Sequence, residues 1–220
     1  MTAPAFTADQ ARLLFQRDDL TQPATAYPSQ TVSRYPSRVE GSRLDGSDRR
    51  VLIDDARLGA PAPNGEVTFV RTNRAGTALL VQSAAGQQRV FVEPGQFADI
   101  GSPRYSPSGD RIAFVATRTG RATAPPSFPL LVALLPAPAF AHGLPWDLWL
   151  ISADGTDLRR LAALGADDAS LAWSPDAGAI FIYADAGSFV VDLGTGNVQR
   201  MPQFAGDGGI AWLTSIVPPR

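Results

Sequence analysis

Few residues of this sequence have side chains that could do acid–base or metal chemistry. Carboxylates occur as three adjacent pairs, Asp18-Asp19, Asp54-Asp55 and Asp167-Asp168. Oxygen-rich turns can bind Ca²⁺, but the chain contains no D-x-[DN]-x-[DN]-G loop. The second and third pairs recur at the same place in an internal repeat, just before a predicted strand. We therefore interpret the pairs as solvated turn residues rather than as a metal site.

The sequence lacks most of the residues that histidine, cysteine or phosphate-loop chemistry requires. His142 is the only histidine and cysteine is absent, which excludes His-cluster metal sites and thiolate chemistry and nearly closes the zinc option. A Ser-His-Asp triad would need His142, which lies in an Ala/Pro-rich loop, and the chain has no G-x-S-x-G nucleophile elbow. The glycine clusters 194–196 and 206–209 lack the Lys-Ser/Thr pair and the helix of a phosphate site. We therefore expect no catalytic residues, no metal and no cofactor.

Size and charge narrow the class of protein further. The chain has 220 residues, of which 45% are hydrophobic, so it can bury a full core. The net charge of −2 and the thin spread of Lys and Arg argue against a nucleic-acid partner. The first 15 residues lack the pattern of a signal peptide, and no window approaches the 18 apolar residues of a transmembrane span. A cytoplasmic location follows from the sequence as written, and a periplasmic or extracytoplasmic one if the N-terminus is incomplete.

An internal repeat organises the rest of the chain. RYSPSGDRIAFV at Arg104 returns in altered form as AWSPDAGAIFIY at Ala172. A second signature, an apolar run, a glycine turn and an arginine before a hydrophobic residue, also recurs. Its glycines are Gly46, Gly86, Gly155 and Gly196, spaced 40, 69 and 41 residues apart. The period is thus near 40, with an insertion in the third unit.

The pattern of each repeat unit predicts four short strands. Ser-Pro lies between the first two strands, where proline presets a turn. Asp45-Gly46 and Asp154-Gly155 predict hairpins with tight primed turns. The strands between the turns are typified by Val67–Val70, Ile112–Val115 and Ile180–Tyr183. Helical periodicity occurs only at 10–15 and 158–164, where the repeat requires strands.

Four short strands per unit of about 40 residues form the blade of a β-propeller. The sequence therefore predicts an all-β fold, a propeller or partial propeller of about four four-stranded blades plus a terminal strand in one domain. The predicted blades are 4–55, 56–98, 99–167 and 168–206, the terminal strand is 209–215, and the insertions are 17–38 and 118–145.

The repeated segments resemble those of TolB-type, WD-like β-propellers. SPRYSPSGDRIAFVATRTG with DLWLISADGTDLRRLA, and LAWSPDAGAIFIYA with FVVDLGTGNVQRM, carry the resemblance. The same repeats build the propeller that precedes the hydrolase in prolyl-oligopeptidase-like enzymes. The match is strong over 99–201, fair over 42–98 and weak before that. The resemblance implies blade architecture but says almost nothing about function, because sites are grafted on such scaffolds.

The number of units departs from the family pattern. TolB-like propellers close with six or more blades, whereas this chain has four units and a fragment that begins the pattern again at Trp212. An arc of four blades leaves two exposed edges. It can close as a small ring, with 209–215 pairing near the N-terminus, form half of a two-chain ring, or belong to a longer protein. We favour a partial propeller with an edge covered by a partner.

The insertion in the third unit is the second departure. Its centre, 128–140, has no charged residue and contains three prolines, so it is too short and too interrupted to span a bilayer. An exposed loop of this composition requires a partner. Three interpretations stay open: packing on its own blade or in the propeller mouth, docking to another protein, and peripheral membrane contact through 128–140. The candidate partner-binding residues are Phe128, Leu130, Leu131, Leu134, Leu135, Phe140 and Trp146.

The sequence thus favours a non-catalytic protein-interaction or assembly module, an accessory subunit that docks through 124–143. Trp146 and Trp149 alternate on the following strand, where core packing is favoured over a ligand platform. The insertion 17–38 is polar and predicts a long surface loop for which a binding role stays open. Two alternatives use the propeller mouth: a carboxylate-based glycan-active enzyme and a sugar- or peptide-binding sensor.

Overall fold

The structure is a computed structural model that describes residues 4–26, 34–118, 145–166, 169–185, 187–201, 210 and 212. Within these residues all regular secondary structure is β, and there is no helix. The strands are β1 Ala5–Phe6, β2 Arg12–Asp18, β3 Ser37–Arg43, β4 Arg50–Ile53, β5 Arg57–Pro61, β6 Val67–Asn73, β7 Gly76–Gln82, β8 Gln88–Tyr105, β9 Arg111–Arg118, β10 Trp146–Ser152, β11 Arg159–Ala166, β12 Ser170–Trp173, β13 Ala179–Ala184, β14 Gly187–Asp192 and β15 Val198–Met201.

The strands form three antiparallel sheets that follow one another along the chain. The first contains β1–β4 and the last contains β12–β15, each in sequence order. The middle sheet has seven strands, in the order β11-β10-β9-β8-β7-β6-β5. Strand β8 joins two blades, because Val92 pairs with Leu79 of β7 while Ile100 pairs with Ala116 of β9. We number the four blades 1 to 4 in chain order, with β8 shared by blades 2 and 3.

The all-β, partial-propeller prediction is confirmed. The apolar runs 67–70, 112–115 and 180–183 lie in β6, β9 and β13. The two segments with helical periodicity form strands as well, since Arg12–Phe15 belongs to β2 and Arg159–Leu164 belongs to β11. Burial between sheets therefore overrides local helical pattern, as is usual for short segments.

Three hydrophobic clusters hold the blades together, one at each junction. Blades 1 and 2 share a cluster around Val39 and Phe69, and blades 2 and 3 share one around Val70 and Phe114. Blades 3 and 4 share a third cluster, which contains Val115 and Trp173. Adjacent residues of one strand point to opposite faces, so a middle strand must be apolar at successive positions. The runs VTFV and IAFV meet this requirement.

The turn between the first two strands of a blade is built the same way three times. Thr7, Ser106 and Ser174 each accept a hydrogen bond through their hydroxyl from the amide nitrogen five residues later, at 3.1, 3.1 and 2.9 Å. Each of the three also donates its own amide to the carbonyl of that same later residue. The repeated Ser-Pro signature is thus a turn in which a side-chain hydroxyl, rather than a backbone carbonyl, accepts the hydrogen bond of a backbone amide.

Replacing Ser106 by alanine is expected to lower the free energy of unfolding by about 1 kcal/mol, because Arg111 loses the acceptor for its amide. Hydrogen bonds from Ser108 and Ser106 also lower the pKa of Asp110 to about 2. A carboxylate whose pKa is lower in the folded state stabilises it above the unfolded pKa, and this contribution is lost as the pH falls from about 4 to about 2. The deficit of Ser106→Ala, measured by urea unfolding, should therefore shrink over that range.

Ser108→Ala provides the matched control for this experiment. It removes the 2.5 Å hydrogen bond to Asp110 but keeps the bond between Ser106 and the amide of Arg111. Its deficit should be smaller than that of Ser106→Ala and should vanish at low pH. A deficit for Ser106→Ala that stays constant between pH 7 and pH 2 would show that Asp110 contributes nothing through this turn.

The hairpins at Asp45-Gly46 and Asp154-Gly155 form as expected, but the predicted primed turns are wrong. Each is a three-residue loop in which the glycine alone has a positive φ, +82° at Gly46 and +92° at Gly155. The aspartates serve a different purpose. Each accepts a 2.9 Å hydrogen bond from the amide two residues later, which fixes the loop without a left-handed aspartate.

Candidate functional site

Two long connections leave the blades at the same end of the molecule. Residues 19–36 join β2 to β3, and 119–145 join β9 to β10, so each joins the second strand of a blade to its third. Arg34 of the first connection reaches Asp99, close to Arg118 at the end of β9, because Asp99 pairs with Thr117. We call this end the connection face and define it by Arg34, Asp55, Arg57, Asp99 and Arg118.

A buried ion cluster lies at the centre of the connection face. The Asp99 carboxylate accepts hydrogen bonds from Arg57 Nη2 on Oδ1 and from Arg34 Nη2 on Oδ2. The side chains of Asp99 and Arg57 are only 12% and 9% exposed. The amide of Ile100 donates to Oδ1 at 2.8 Å, and the amide of Asp99 donates to Thr117 Oγ1 at 3.1 Å. The Asp99 carboxylate therefore links β5, β8 and the first long connection, and the Asp99 amide adds the link to β9.

Burial and two neighbouring charges shift the pKa of the Arg57 guanidinium in this cluster. Burial lowers the pKa of Arg57 to about 10, although the charge of Asp99 opposes this effect. Nearby Arg34 lowers the Arg57 pKa further. A guanidinium with this pKa is still a cation at neutral pH. Arg57 Nε is buried and has no hydrogen-bond partner among the residues that the structure describes.

A cleft of about 660 Å³ opens beside the cluster, between the first long connection and the turn that enters blade 2. Its lining consists of Arg17, Asp18, Asp19, Leu20, Thr21, Gln22, Pro36, Ser37, Arg38, Asp54 and Asp55. A smaller cavity of about 40 Å³ shares Pro36, Ser37 and Asp55 with it and extends to Arg57 and Arg34. Two of the three aspartate pairs in the sequence thus meet in one cleft, where four carboxylates face two guanidinium groups.

Among the carboxylates of the cleft, Asp19 lacks the raised pKa of a general acid. Across the described ranges, no group of three or more acidic or histidine side chains is arranged to hold a metal ion. Hydrogen bonds from Thr21 and Gln22 lower the pKa of Asp19, through contacts of 2.5 and 2.7 Å. A general acid at neutral pH needs a raised pKa instead. The arrangement is suited to binding polar or basic groups.

Most of the sequence-predicted site residues cannot be placed. Phe128, Leu130, Leu131, Leu134, Leu135 and Phe140 lie outside the described residues, as do His142 and the pair Asp167-Asp168. Their predicted roles stay predictions. Of the predicted partner-binding residues, the structure describes Trp146 alone.

Trp146 is the first residue of β10 and is half-buried beside the junction of blades 3 and 4. Its ring covers Gly101, where an added Cβ would lie 3.1 Å from the ring. Trp149, three residues on, packs edge-on against Phe97 at 4.7 Å between ring centroids, with the Arg118 guanidinium 5.3 Å from its ring. Both tryptophans therefore contribute to blade packing close to the connection face.

The ion cluster was not anticipated from the sequence. Arg57 and Arg34 lie 42 and 65 residues from Asp99, and neither spacing matches a known motif. The available signal was the repeat itself. We call the first strand of a blade its inner strand. Arg57 begins β5, the inner strand of blade 2, and Asp99 lies in the part of β8 that pairs with β9 as the inner strand of blade 3. A charged residue at that position of successive units indicates a shared location on the propeller.

The described residues have the architecture of a β-propeller, present as an arc of four blades, and the structures they resemble include TolB-type propellers. TolB from Acinetobacter baumannii matches with a TM-score of 0.61 at 16% identity, over 87% of this chain and 41% of that one. A chain of the nidogen/laminin complex matches with a TM-score of 0.66 at 11% identity, over 96% and 68%. The propeller domain of the trilobed protease from Pyrococcus furiosus, which has an open velcro topology, matches with a TM-score of 0.53 at 12% identity, over 91% and 56%.

These likenesses establish the fold and confirm the resemblance to TolB-type propellers. The chain spans less than half the length of the Acinetobacter TolB chain. Comparison of the sequence with protein families and with curated proteins finds no match. Within the described residues, no helix has the length and apolar character needed to cross a membrane.

Proposed function

We propose that this chain is a non-catalytic protein-interaction module, an accessory subunit of a larger complex that docks through the apolar segment 124–143. The observation that carries the proposal is the placement of the two long connections. Both are attached to strand ends at the connection face, the first at Asp18 and Ser37 and the second at Arg118 and Trp146. Loops on one face of a rigid scaffold are where binding function concentrates.

The chemistry of the face supports binding in preference to turnover. The segment 128–140 has no charged residue. Exposed apolar segments of this kind are typical contact surfaces for a partner protein. The cleft of the connection face offers carboxylates that could bind basic or polar groups of a partner. An apolar centre with a charged rim is the usual anatomy of a protein interface.

The test is a quadruple variant in which Leu130, Leu131, Leu134 and Leu135 are replaced by serine. The protein isolated from its native source is expected to elute from size-exclusion chromatography with a bound protein, above its own mass of 23.3 kDa. In the quadruple variant the melting temperature should stay unchanged, and partner affinity should fall at least about tenfold, or about 1.4 kcal/mol.

Leu44→Ser is the matched control, because Leu44 is 61% exposed but lies in the β3–β4 turn at the opposite end of blade 1. It should retain the partner fully. A quadruple variant that melts at a lower temperature would show that the segment packs on its own domain. An unchanged partner affinity would show that docking uses another surface.

A second candidate function is favoured by one specific observation, the meeting of Asp18, Asp19, Asp54 and Asp55 in a single cleft. It is a sugar- or peptide-binding sensor or a carboxylate-based glycan-active enzyme at this site. Such a protein would melt at a higher temperature with an oligosaccharide or a lysine-rich peptide added, and the shift would disappear in Asp54→Asn/Asp55→Asn. Hydrolysis of the oligosaccharide would distinguish the enzyme from the sensor.

A further inference from the structure

Two tryptophans make the same hydrogen bond in successive parts of the repeat. The indole nitrogen of Trp173 donates to the carbonyl oxygen of Arg104 at 3.1 Å. The indole nitrogen of Trp212 donates to the carbonyl oxygen of Ala172, also at 3.1 Å. The first bond links the inner strand of blade 4 to the inner strand of blade 3. The second links Trp212 to the inner strand of blade 4.

The two acceptor residues occupy equivalent positions. Arg104 immediately precedes Tyr105, which pairs with Ile112 of the next strand. Ala172 immediately precedes Trp173, which pairs with Ile180 of the next strand. Trp212 therefore has the same relation to blade 4 that Trp173 has to blade 3. Its place is that of the inner-strand aromatic residue of a further blade.

Blade 4 also has a face of the right character for another blade. Ile180, Ile182 and Val191 point toward blade 3 and belong to the shared cluster. The alternate residues Phe181 and Val190, paired across β13 and β14, point the other way and are only half-buried. Blades 2 and 3 are apolar on both faces because each has a neighbour on both sides, and blade 4 follows the same pattern.

We infer that Ile210 and Trp212 belong to the inner strand of a fifth blade seated on blade 4. The outer edge of that strand accepts an antiparallel β-strand with alternating apolar side chains, as β12 accepts β13. The strands that would complete the blade are not among the described residues. This inference concerns the end of the arc and is independent of the function proposed for the connection face.

The first test is hydrogen exchange of the indole groups in the full chain. Nitrogen-15 NMR of the four tryptophans, assigned with single Trp→Phe variants, is expected to show the indole proton of Trp212 protected from exchange at least about tenfold relative to a free indole, an effect expected of a hydrogen-bonded group. Trp173 is the internal standard for the same bond. Exchange of the Trp212 indole at the free rate would overturn the inference.

The second test adds the strands that would complete such a blade. Residues 213–220 are replaced by a copy of residues 174–201, which carries the sequence of β13–β15. The extended chain is expected to melt about 5 °C or more above the original, because the added strands would bury apolar surface against blade 4 and pair with the strand that contains Trp212. The gain should be reduced when Trp212→Phe removes the indole donor.

The control extension has Ile180→Lys and Ile182→Lys in the added copy, which places charges on the face that would contact blade 4. It should give no rise in melting temperature. Equal melting temperatures for the two extensions would contradict a fifth-blade site, as would a rise that Trp212→Phe leaves unaffected. A rise confined to the apolar extension and dependent on Trp212 would support it.

Discussion

Replacing Asp99 by asparagine is expected to lower the free energy of unfolding by about 3–5 kcal/mol, the usual cost of removing one partner from a buried ion pair. The carboxylate accepts hydrogen bonds from both Arg57 and Arg34, and Arg57 is 7% exposed. Asparagine keeps the shape of the side chain but leaves the buried guanidinium of Arg57 without a counter-charge. Urea unfolding at neutral pH, followed by tryptophan fluorescence, measures the loss.

The control for Asp99 is an ion pair at the surface of the same face. Asp55 Oδ2 lies 3.6 Å from Arg71 Nε, and the Asp55 side chain is 72% exposed. Asp55→Asn should cost no more than about 1 kcal/mol, because solvent screens exposed pairs. The double variant Asp99→Leu/Arg57→Met should recover much of the stability lost in Asp99→Asn, since it removes the uncompensated charge. If Asp99→Asn lowered the free energy of unfolding by no more than Asp55→Asn does, the ion cluster would not be a buried ion pair in solution.

Replacing Gly76 by alanine is expected to destabilise the protein by about 2–5 kcal/mol, which combines about 1–2 kcal/mol for an unfavourable backbone conformation with about 1–3 kcal/mol for overpacking. Gly76 has a φ of +130°, and a Cβ there would lie 2.4 Å from the backbone nitrogen of Gly95. The neighbour is backbone, so it cannot move aside as a flexible side chain could. The β6–β7 turn and the segment that enters blade 3 would have to separate.

Gly46→Ala separates the backbone effect from the clash. Gly46 also has a positive φ, +82°, but a Cβ there meets no atom within 4 Å. We expect it to cost about 1–2 kcal/mol, the contribution of the left-handed conformation alone. The difference between the two variants in thermal and urea unfolding then measures the close approach of Gly76 to Gly95. Equal losses in both variants would mean that the two segments are not in contact in solution.

The strands and the turns between them were predictable because their determinants lie within one repeat unit. The run Ile112–Val115 is apolar at successive positions, which is what a strand between two other blades requires. The hydroxyl of Ser106 and the left-handed residue Gly109 lie in the same hexapeptide, so the turn follows from local chemistry. The turn type at Asp45-Gly46 was mispredicted because two-residue and three-residue loops share that dipeptide, and the strand register decides between them.

The sequence predicts less of the candidate site than of the fold. Asp54-Asp55 was interpreted as a solvated turn next to a strand, and the structure does place the pair just before β5. Its proximity to Asp18-Asp19 in one cleft had no counterpart in the sequence pattern. The two pairs are brought together within the sheet of blade 1, because Asp18 pairs with Ser37 of β3 and Val39 of β3 pairs with Ile53, the residue before Asp54. Neither segment shows this strand register by itself.

The amino-acid sequence by itself determined that this protein is built of four-stranded units with a period near 40 residues, since alternation, turns and glycines all act over short distances. Only the tertiary structure decided that Arg57 and Arg34 enclose Asp99, and that Trp212 repeats on blade 4 the contact of Trp173 on blade 3. The residues in these contacts are 40 to 69 positions apart in the sequence. Their contacts depend on how whole sheets pack on one another, and that packing is set by burial summed over many side chains rather than by any local motif.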